Sequence, residues 1–196
     1  MAIRIEERFV VKAAAGEVWE FLVDPRRVVG CVPGGELAEL IDGRTFRGVI
    51  RVRIGTVTVS YRGRVRLAEV DAAAHRVKIV GEAREGAGSG SARLTLDSWL
   101  VPRPEGSTEV VARIQADVFG RIVQLLRGMI EQFAREVFRD FAACVRATVE
   151  AERGQPGASA APAPRPEPLR AIPLLLRALR TWIAGLVGPR DGAPRA

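Results

Sequence analysis

Lysine, histidine, cysteine and aromatic residues are all scarce in this sequence of 196 residues, and each shortage excludes a class of protein. One histidine, His75, and two distant cysteines offer no metal-ligand or redox spacing. Aromatic residues make up 6% of the chain, too few for the stacking platforms of proteins that bind single-stranded nucleic acid. The first eleven residues alternate and carry acids, which argues against a secretory signal and predicts a cytoplasmic protein.

Basic residues nevertheless outnumber acidic ones by 30 to 23, which gives a net charge of +7. Apart from Lys12 and Lys78 they are all arginine, a bias that a GC-rich coding sequence also produces. Six of them alternate along two neighbouring predicted strands and would form one outer face: Arg47, Arg51, Arg53, Arg62, Arg64 and Arg66. We interpret this face as solvated, with docking to an acidic protein as the second interpretation, and predict no nucleic-acid partner.

Alternation with a period of two governs most of the chain before residue 120. Residues 3–11 predict a strand, residues 13–23 a short helix, and Asp24-Pro25 the start of a second helix that Pro33 ends. Residues 36–118 predict a run of long strands with one wet face, as in an antiparallel sheet. Ile41-Asp-Gly-Arg44 is a hairpin signal within this run.

A helical period follows the strands. Residues 120–153 predict one long helix with apolar stripes on more than one face. A curved antiparallel sheet wrapped around this helix buries all these faces, which predicts an α+β helix-grip fold enclosing a cavity. Cys31 and Cys144 lie far apart in the sequence, and we interpret both as buried free thiols.

The last forty or so residues divide into three predicted segments. Residues 154–168 are rich in proline and alanine and predict a linker after the domain of residues 1–153, while residues 189–196 predict a disordered tail. Residues 169–188 predict an amphipathic helix that lies in a membrane surface, because mid-membrane arginines would make spanning costly. A groove on a partner protein is the alternative. The predicted membrane-binding residues are Arg170, Leu175, Leu176, Arg177, Leu179, Arg180, Trp182, Ile183 and Leu186.

Three blocks in order resemble the carbon-monoxide dehydrogenase CoxG family, which is START-like (SRPBCC). Residues 24–35 (DPRRVVGCVPGG) are similar to its DP…CIPG segment, residues 51–71 to its next strands, and residues 86–94 to its glycine-rich turn. The resemblance implies a non-enzymatic accessory protein of molybdenum-containing oxidoreductases. Such a protein would hold a quinone-like lipid and lie on the inner face of the cell membrane. A purely structural anchor without a ligand is the alternative, and an enzyme on this fold ranks third.

No catalytic residue, metal site or covalent cofactor is predicted, because the acids lie scattered on polar faces and His75 sits in a turn. The only non-protein group expected is a bound isoprenoid quinone, as the family resemblance implies. Small residues on the inner strand faces would leave room for it beside large apolar ones. The predicted cavity residues are Phe46, Ile50, Val59, Tyr61, Val77, Ile79, Leu94, Ile114, Ile122, Leu126, Met129 and Phe133.

Overall fold

The computed structural model describes residues 1–54, 56–86, 88, 90–126, 128–154 and 169–170, without the side chains of residues 54, 122, 169 and 170. No helix in these ranges is long and apolar enough to cross a membrane. The elements in chain order are β1 (Ala2–Val11), α1 (Ala15–Val23), α2 (Pro25–Val28), a 3-10 turn (Val29–Cys31), β2 (Gly35–Leu40), β3 (Thr45–Ile54), β4 (Val57–Asp71), β5 (Arg76–Glu85), β6 (Ser91–Pro102), β7 (Thr108–Phe119), α3 (Arg121–Leu125), α4 (Ile130–Gly154) and β8 (Leu169–Arg170).

Seven strands form one antiparallel sheet in the order β1-β7-β6-β5-β4-β3-β2. The first strand therefore lies beside the last long one, from the pair Ala2 and Asp117 to the pair Val11 and Thr108. The predicted hairpin between β2 and β3 is confirmed, because the Asp42 carboxylate accepts hydrogen bonds from two backbone N–H groups of the turn, each at 2.7 Å. The two residues of β8 extend the β3 edge in parallel pairing.

Helix α4 lies across one face of the sheet and packs against β1, where Phe9 makes edge-on ring contacts with Phe138 and Phe141. Its N-terminal half is held to β1 by an ion pair between Arg135 and Glu7. Inward and outward residues alternate along the strands, so a sheet with one face against a helix is the arrangement that the sequence pattern predicts. The predicted α+β helix-grip fold is confirmed.

The single helix predicted over residues 120–153 is a correction. It is interrupted at Gly128, which has a φ of 74°, so α3 ends at Leu125 and α4 begins at Ile130. A left-handed residue cannot continue a right-handed helix, and glycine takes that conformation without steric cost. Apolar stripes extrapolated across the break consequently lose their register.

The two cysteines are a second correction. Cys31 and Cys144 form a disulfide, with their Cα atoms 5.3 Å apart, and are not free thiols. The bond joins the 3-10 turn after α2 to the C-terminal half of α4 across 113 residues of sequence. A bond that closes so long a loop restricts the unfolded chain strongly, and it fixes this half of α4 against the rest of the domain.

Candidate functional site

Two clusters of buried side chains lie at opposite ends of the space between the sheet and α4. The disulfide end, as we call the larger one, comprises Phe9, Val11, Ala13, Val18, Trp19, Phe21, Cys31, Leu67, Val77, Leu100, Val110, Ala142, Val145 and Val149. The tyrosine end comprises Ile3, Ile5, Val52, Val59, Tyr61, Leu126 and Ile130. The disulfide end contains α1 and most of α4, so it resembles an ordinary protein core.

Between the two ends runs a set of inward-facing apolar side chains that are only half-buried. Register pairs Ile79 with Leu96 and Leu96 with Ile114, so all three lie on the face that carries the buried clusters. We call the set the inner strip, and its members are Phe46, Val65, Ile79, Leu94, Leu96 and Ile114. Solvent reaches these side chains although they face the helix, which means that open space remains between the sheet and α4.

Small residues widen this space. One row across four strands consists of Gly48, Gly63, Ala83 and Ala92, each paired with the next. At Gly63 the backbone requires glycine, because a Cβ there would lie 2.2 Å from the carbonyl oxygen of Glu82. Gly81, in the adjacent row, is different: its Cβ would meet nothing nearer than 3.7 Å. A side chain at residue 81 therefore has a place to go, and its absence leaves volume.

Most predicted cavity residues lie on this inner surface. Val59, Tyr61 and Leu126 belong to the buried tyrosine end, with Ile50, Ile114 and Phe133 packed against it. Phe46 and Leu94 are members of the inner strip. Two others lie elsewhere: Val77 is part of the disulfide end, and Ile79 packs against it. The side chain of Ile122 is outside the described residues. The role of these residues in binding a ligand stays a prediction.

Met129 departs from its predicted inward position. Its side chain is 48% exposed, and those of Leu125 and Phe119 are 42% and 56% exposed. The cause is the break at Gly128, which turns Met129 away from the face that a continuous helix would have given it. Exposed large apolar side chains are thus concentrated between the end of β7 and the start of α4. The predicted membrane-binding residues beyond Arg170 lie outside the described residues.

A polar pair forms part of the tyrosine end. Tyr61 and Glu85 are direct partners on β4 and β5, and only 3% and 8% of their surfaces are exposed. The Tyr61 hydroxyl and the Glu85 Oε2 atom have no hydrogen-bond partner in the part of the chain that the structure describes. A buried polar group without a partner costs about 1–3 kcal/mol, and more if it is charged. The sequence pattern predicts that all acids lie on polar faces, so Glu85 is a correction.

Burial and the neighbouring carboxylate both act on the phenol. Burial raises the pKa of Tyr61 above its ordinary value, because a phenolate would lose its hydration, and the charge of Glu85 raises it further. Tyr61 therefore keeps its proton at neutral pH and is available as a hydrogen-bond donor. Among the described residues no group of three or more His, Cys, Asp or Glu side chains could hold a metal ion.

The outer face of the sheet carries an open hollow of about 360 Å³ lined by Ala74, Arg76, Trp99 and Arg113. Both guanidinium groups stack on the indole ring, at 5.8 Å and 5.4 Å from its centroid. Unlike the inner surface, this hollow contains no buried polar atom that lacks a partner among the described residues. The predicted arginine face is likewise on the outside, where Arg51 is exposed and forms a surface ion pair. The inner surface is the stronger candidate site.

Solved structures resemble this fold over most of their length. A conserved protein from Geobacillus kaustophilus has a TM-score of 0.68 at 19% identity, covering 76% of this chain and 96% of its own. The Zhui aromatase/cyclase from Streptomyces sp. R1128 has 0.59 at 14%, covering 82% and 100%. A START superfamily protein from Mycobacterium smegmatis has 0.53 at 17%, covering 76% and 97%. At these identities the likeness shows the fold alone.

Sequence comparison is more specific. No curated protein matches the chain. Residues 8–150, however, match the model of the carbon monoxide dehydrogenase family CoxG, which covers every strand from β2 to β7, most of β1 and α4, and both residues of the Tyr61–Glu85 pair. The chain belongs to the carbon monoxide dehydrogenase CoxG family.

Proposed function

We propose that this protein binds a quinone-like lipid between the sheet and α4, and brings it at a membrane surface to an oxidoreductase of the carbon monoxide dehydrogenase type. The inner strip carries the first part of the proposal. Its apolar side chains face the helix but are not covered by it, and a molecule with an apolar body would remove them from water. A family named after a dehydrogenase supports the choice of partner.

Filling the inner space tests the binding step. Gly81→Leu adds a side chain where a Cβ meets only ordinary contacts, beside Val65 and Leu94. We expect the full-length variant to fold, and to lose most of its affinity for 2-decyl-1,4-hydroquinone in titration calorimetry. Gly43→Leu adds the same side chain in a turn with open space around it and serves as the matched control. Equal affinity in both variants would contradict a site on the inner strip.

Protein purified from its own host provides a second test. Native mass spectrometry followed by lipid extraction should find an isoprenoid quinone bound to the chain. If no lipid is bound and the hydroquinone probe does not bind either, the proposed carrier is wrong, and a purely structural anchor for the oxidoreductase takes its place.

Membrane recruitment rests on the amphipathic pattern of residues 169–187. Apolar residues at helical spacing include Leu176 and Trp182, and arginines alternate with them on the other side. In a flotation assay with vesicles of anionic lipid, we expect Leu176→Glu to abolish binding of the full chain. Thr181→Glu makes the same addition of charge on the polar side, and should weaken flotation much less. Equal loss in both variants would mean that net charge alone drives binding.

A further inference from the structure

The Tyr61–Glu85 pair is the most unusual feature of the inner surface. Both side chains are more than nine-tenths buried, and the Tyr61 hydroxyl and Glu85 Oε2 lack partners among the described residues. Neighbouring side chains are apolar: Val59 belongs to the same cluster, and Ile50 and Ala83 pack against it. Buried polar atoms in native proteins are nearly always hydrogen-bonded, so two orphaned atoms in adjacent residues point to a partner that is not part of the chain.

The two orphaned atoms converge on one point. A Cβ on Gly90 would lie 2.4 Å from Glu85 Oε2 and 3.1 Å from the Tyr61 hydroxyl. Glycine also packs on glycine here, because a Cβ on Gly120, whose φ is 102°, would lie 2.5 Å from the Gly90 Cα. The cover over the pair is thus built from residues without side chains, which lets the backbone approach closely while leaving both polar atoms without a partner.

The chemistry of the pair restricts what it can bind. An ionised carboxylate only accepts hydrogen bonds, whereas a protonated phenol has one hydrogen to donate. A hydroxyl group satisfies both, since it donates to Glu85 and accepts from Tyr61. A carbonyl oxygen can accept from Tyr61 only, and it places its lone pairs against the carboxylate. An ammonium group can donate to Glu85 but cannot accept from Tyr61.

We infer that Tyr61 and Glu85 form the recognition point for a hydroxyl group on an otherwise apolar ligand. This inference rests on the proposed function and adds a selectivity to it. For a quinone-like lipid, the pair binds the reduced, hydroxyl-bearing form in preference to the oxidised form, which has only carbonyl oxygens. A protein with this preference takes up the product of quinone reduction and leaves the oxidised lipid in the membrane.

A matched pair of probes tests the selectivity. 2-Decyl-1,4-hydroquinone and its dimethyl ether share one apolar body, and only the first has hydroxyl hydrogens. Under anaerobic conditions, titration calorimetry with the full chain should give an affinity about tenfold or more higher for the hydroquinone, because hydrogen bonds to charged groups are the strong ones. The pair 1-dodecanol and dodecyl methyl ether distinguishes a general preference for hydroxyl groups from one for phenols.

Two conservative variants connect the preference to the pair. Glu85→Gln keeps the shape but gains N–H donors, so the ratio of affinities should fall to about one. Tyr61→Phe removes the donor and should also reduce the ratio. Glu82→Gln is the matched control, because Glu82 lies on the same strand with its side chain exposed and in an outer ion pair with Arg93. Its ratio should equal that of the unmodified protein.

The outcomes separate the two proposals. If neither hydroquinone nor ether binds, the proposed ligand class is wrong. If both bind with equal affinity, and Glu85→Gln changes nothing, the lipid site stands and the hydroxyl recognition is overturned, in which case water alone satisfies the pair. Thermal unfolding of each variant, followed by circular dichroism, establishes that the affinities compare folded proteins.

Discussion

The disulfide end and the tyrosine end are built from the same strands but have opposite characters. At the disulfide end, β1 and β7 contribute Phe9, Val11 and Val110, which are buried against α1 and α4. At the tyrosine end, the same two strands contribute Ile114 and Val118, which are only partly buried. One end is therefore filled by the chain itself, and the other keeps apolar surface that the chain does not cover.

Attachment of α4 follows the same division. Its C-terminal half is bound by the disulfide, by a hydrogen bond from the Lys12 N–H to Glu150, and by one from Arg153 to the Lys12 carbonyl. Its N-terminal half has the ion pair between Arg135 and Glu7, which is partly exposed. Exposed ion pairs contribute little to stability. The fold thus concentrates its stability at one end and leaves the other able to adapt to a ligand.

Removing the disulfide should have the largest effect. We expect the double variant Cys31→Ser, Cys144→Ser to lose about 2–5 kcal/mol of unfolding free energy, because a long closed loop is released in the unfolded chain. Urea unfolding measures the change. Dithiothreitol should lower the stability of the unmodified protein to that of the variant and leave the variant unaffected. If reductant affected both proteins equally, stabilisation by the disulfide would be disproved.

Truncating the same residue type at each end should give an intermediate effect. Val110→Ala, at the disulfide end of β7, should cost about 2 kcal/mol, since it removes two buried carbon atoms from a packed core. Val118→Ala, on the same face of the same strand, should cost less than about 1 kcal/mol, because its side chain is already partly solvated. Equal losses in urea unfolding would erase the distinction between the ends.

The smallest effect concerns the pKa of Tyr61, which is the only tyrosine in the chain. Tyrosinate absorbance therefore reports this residue alone, and its pKa should exceed the ordinary value of 10.0. Glu85→Gln should lower that pKa but not restore the ordinary value, because burial is the larger cause and persists. The stability linked to the protonated phenol is complete below about pH 10 and is lost as the pH rises through the raised pKa. An unchanged pKa in the variant would separate the two groups.

The strands were predictable because period-two alternation is a local property of the sequence. Alternation along β3 and β4 placed Tyr61 inward and the arginines outward, as found. The disulfide was not predictable, since nothing in the sequence tells which residues 113 positions apart meet in space. The interruption of the final helix had a signal in Gly128, a glycine within an apolar helical pattern, but such glycines are often tolerated.

Glu85 was missed although its position follows from the same alternation. Val77, Gly81 and Ala83 face inward on β5, and two residues further along the same face is residue 85. An acid at an inward position of a strand is an exception to binary patterning, and exceptions of this kind are expected at functional sites. What the sequence could not provide is the convergence with Tyr61 and Gly90, because it depends on the register of three strands and the turn between two of them.

The position of β1 sets the order in which this domain can assemble. Strands β2 to β7 pair with their neighbours in sequence, so they can form hairpin by hairpin as the chain leaves the ribosome. Strand β1 pairs only with β7, which means that Ala2 waits for Asp117. Ile3, Ile5, Phe9 and Val11, which serve both clusters, stay exposed until then. Contacts this distant in sequence make folding slow, and the newly synthesised chain is most prone to aggregate before its two ends meet.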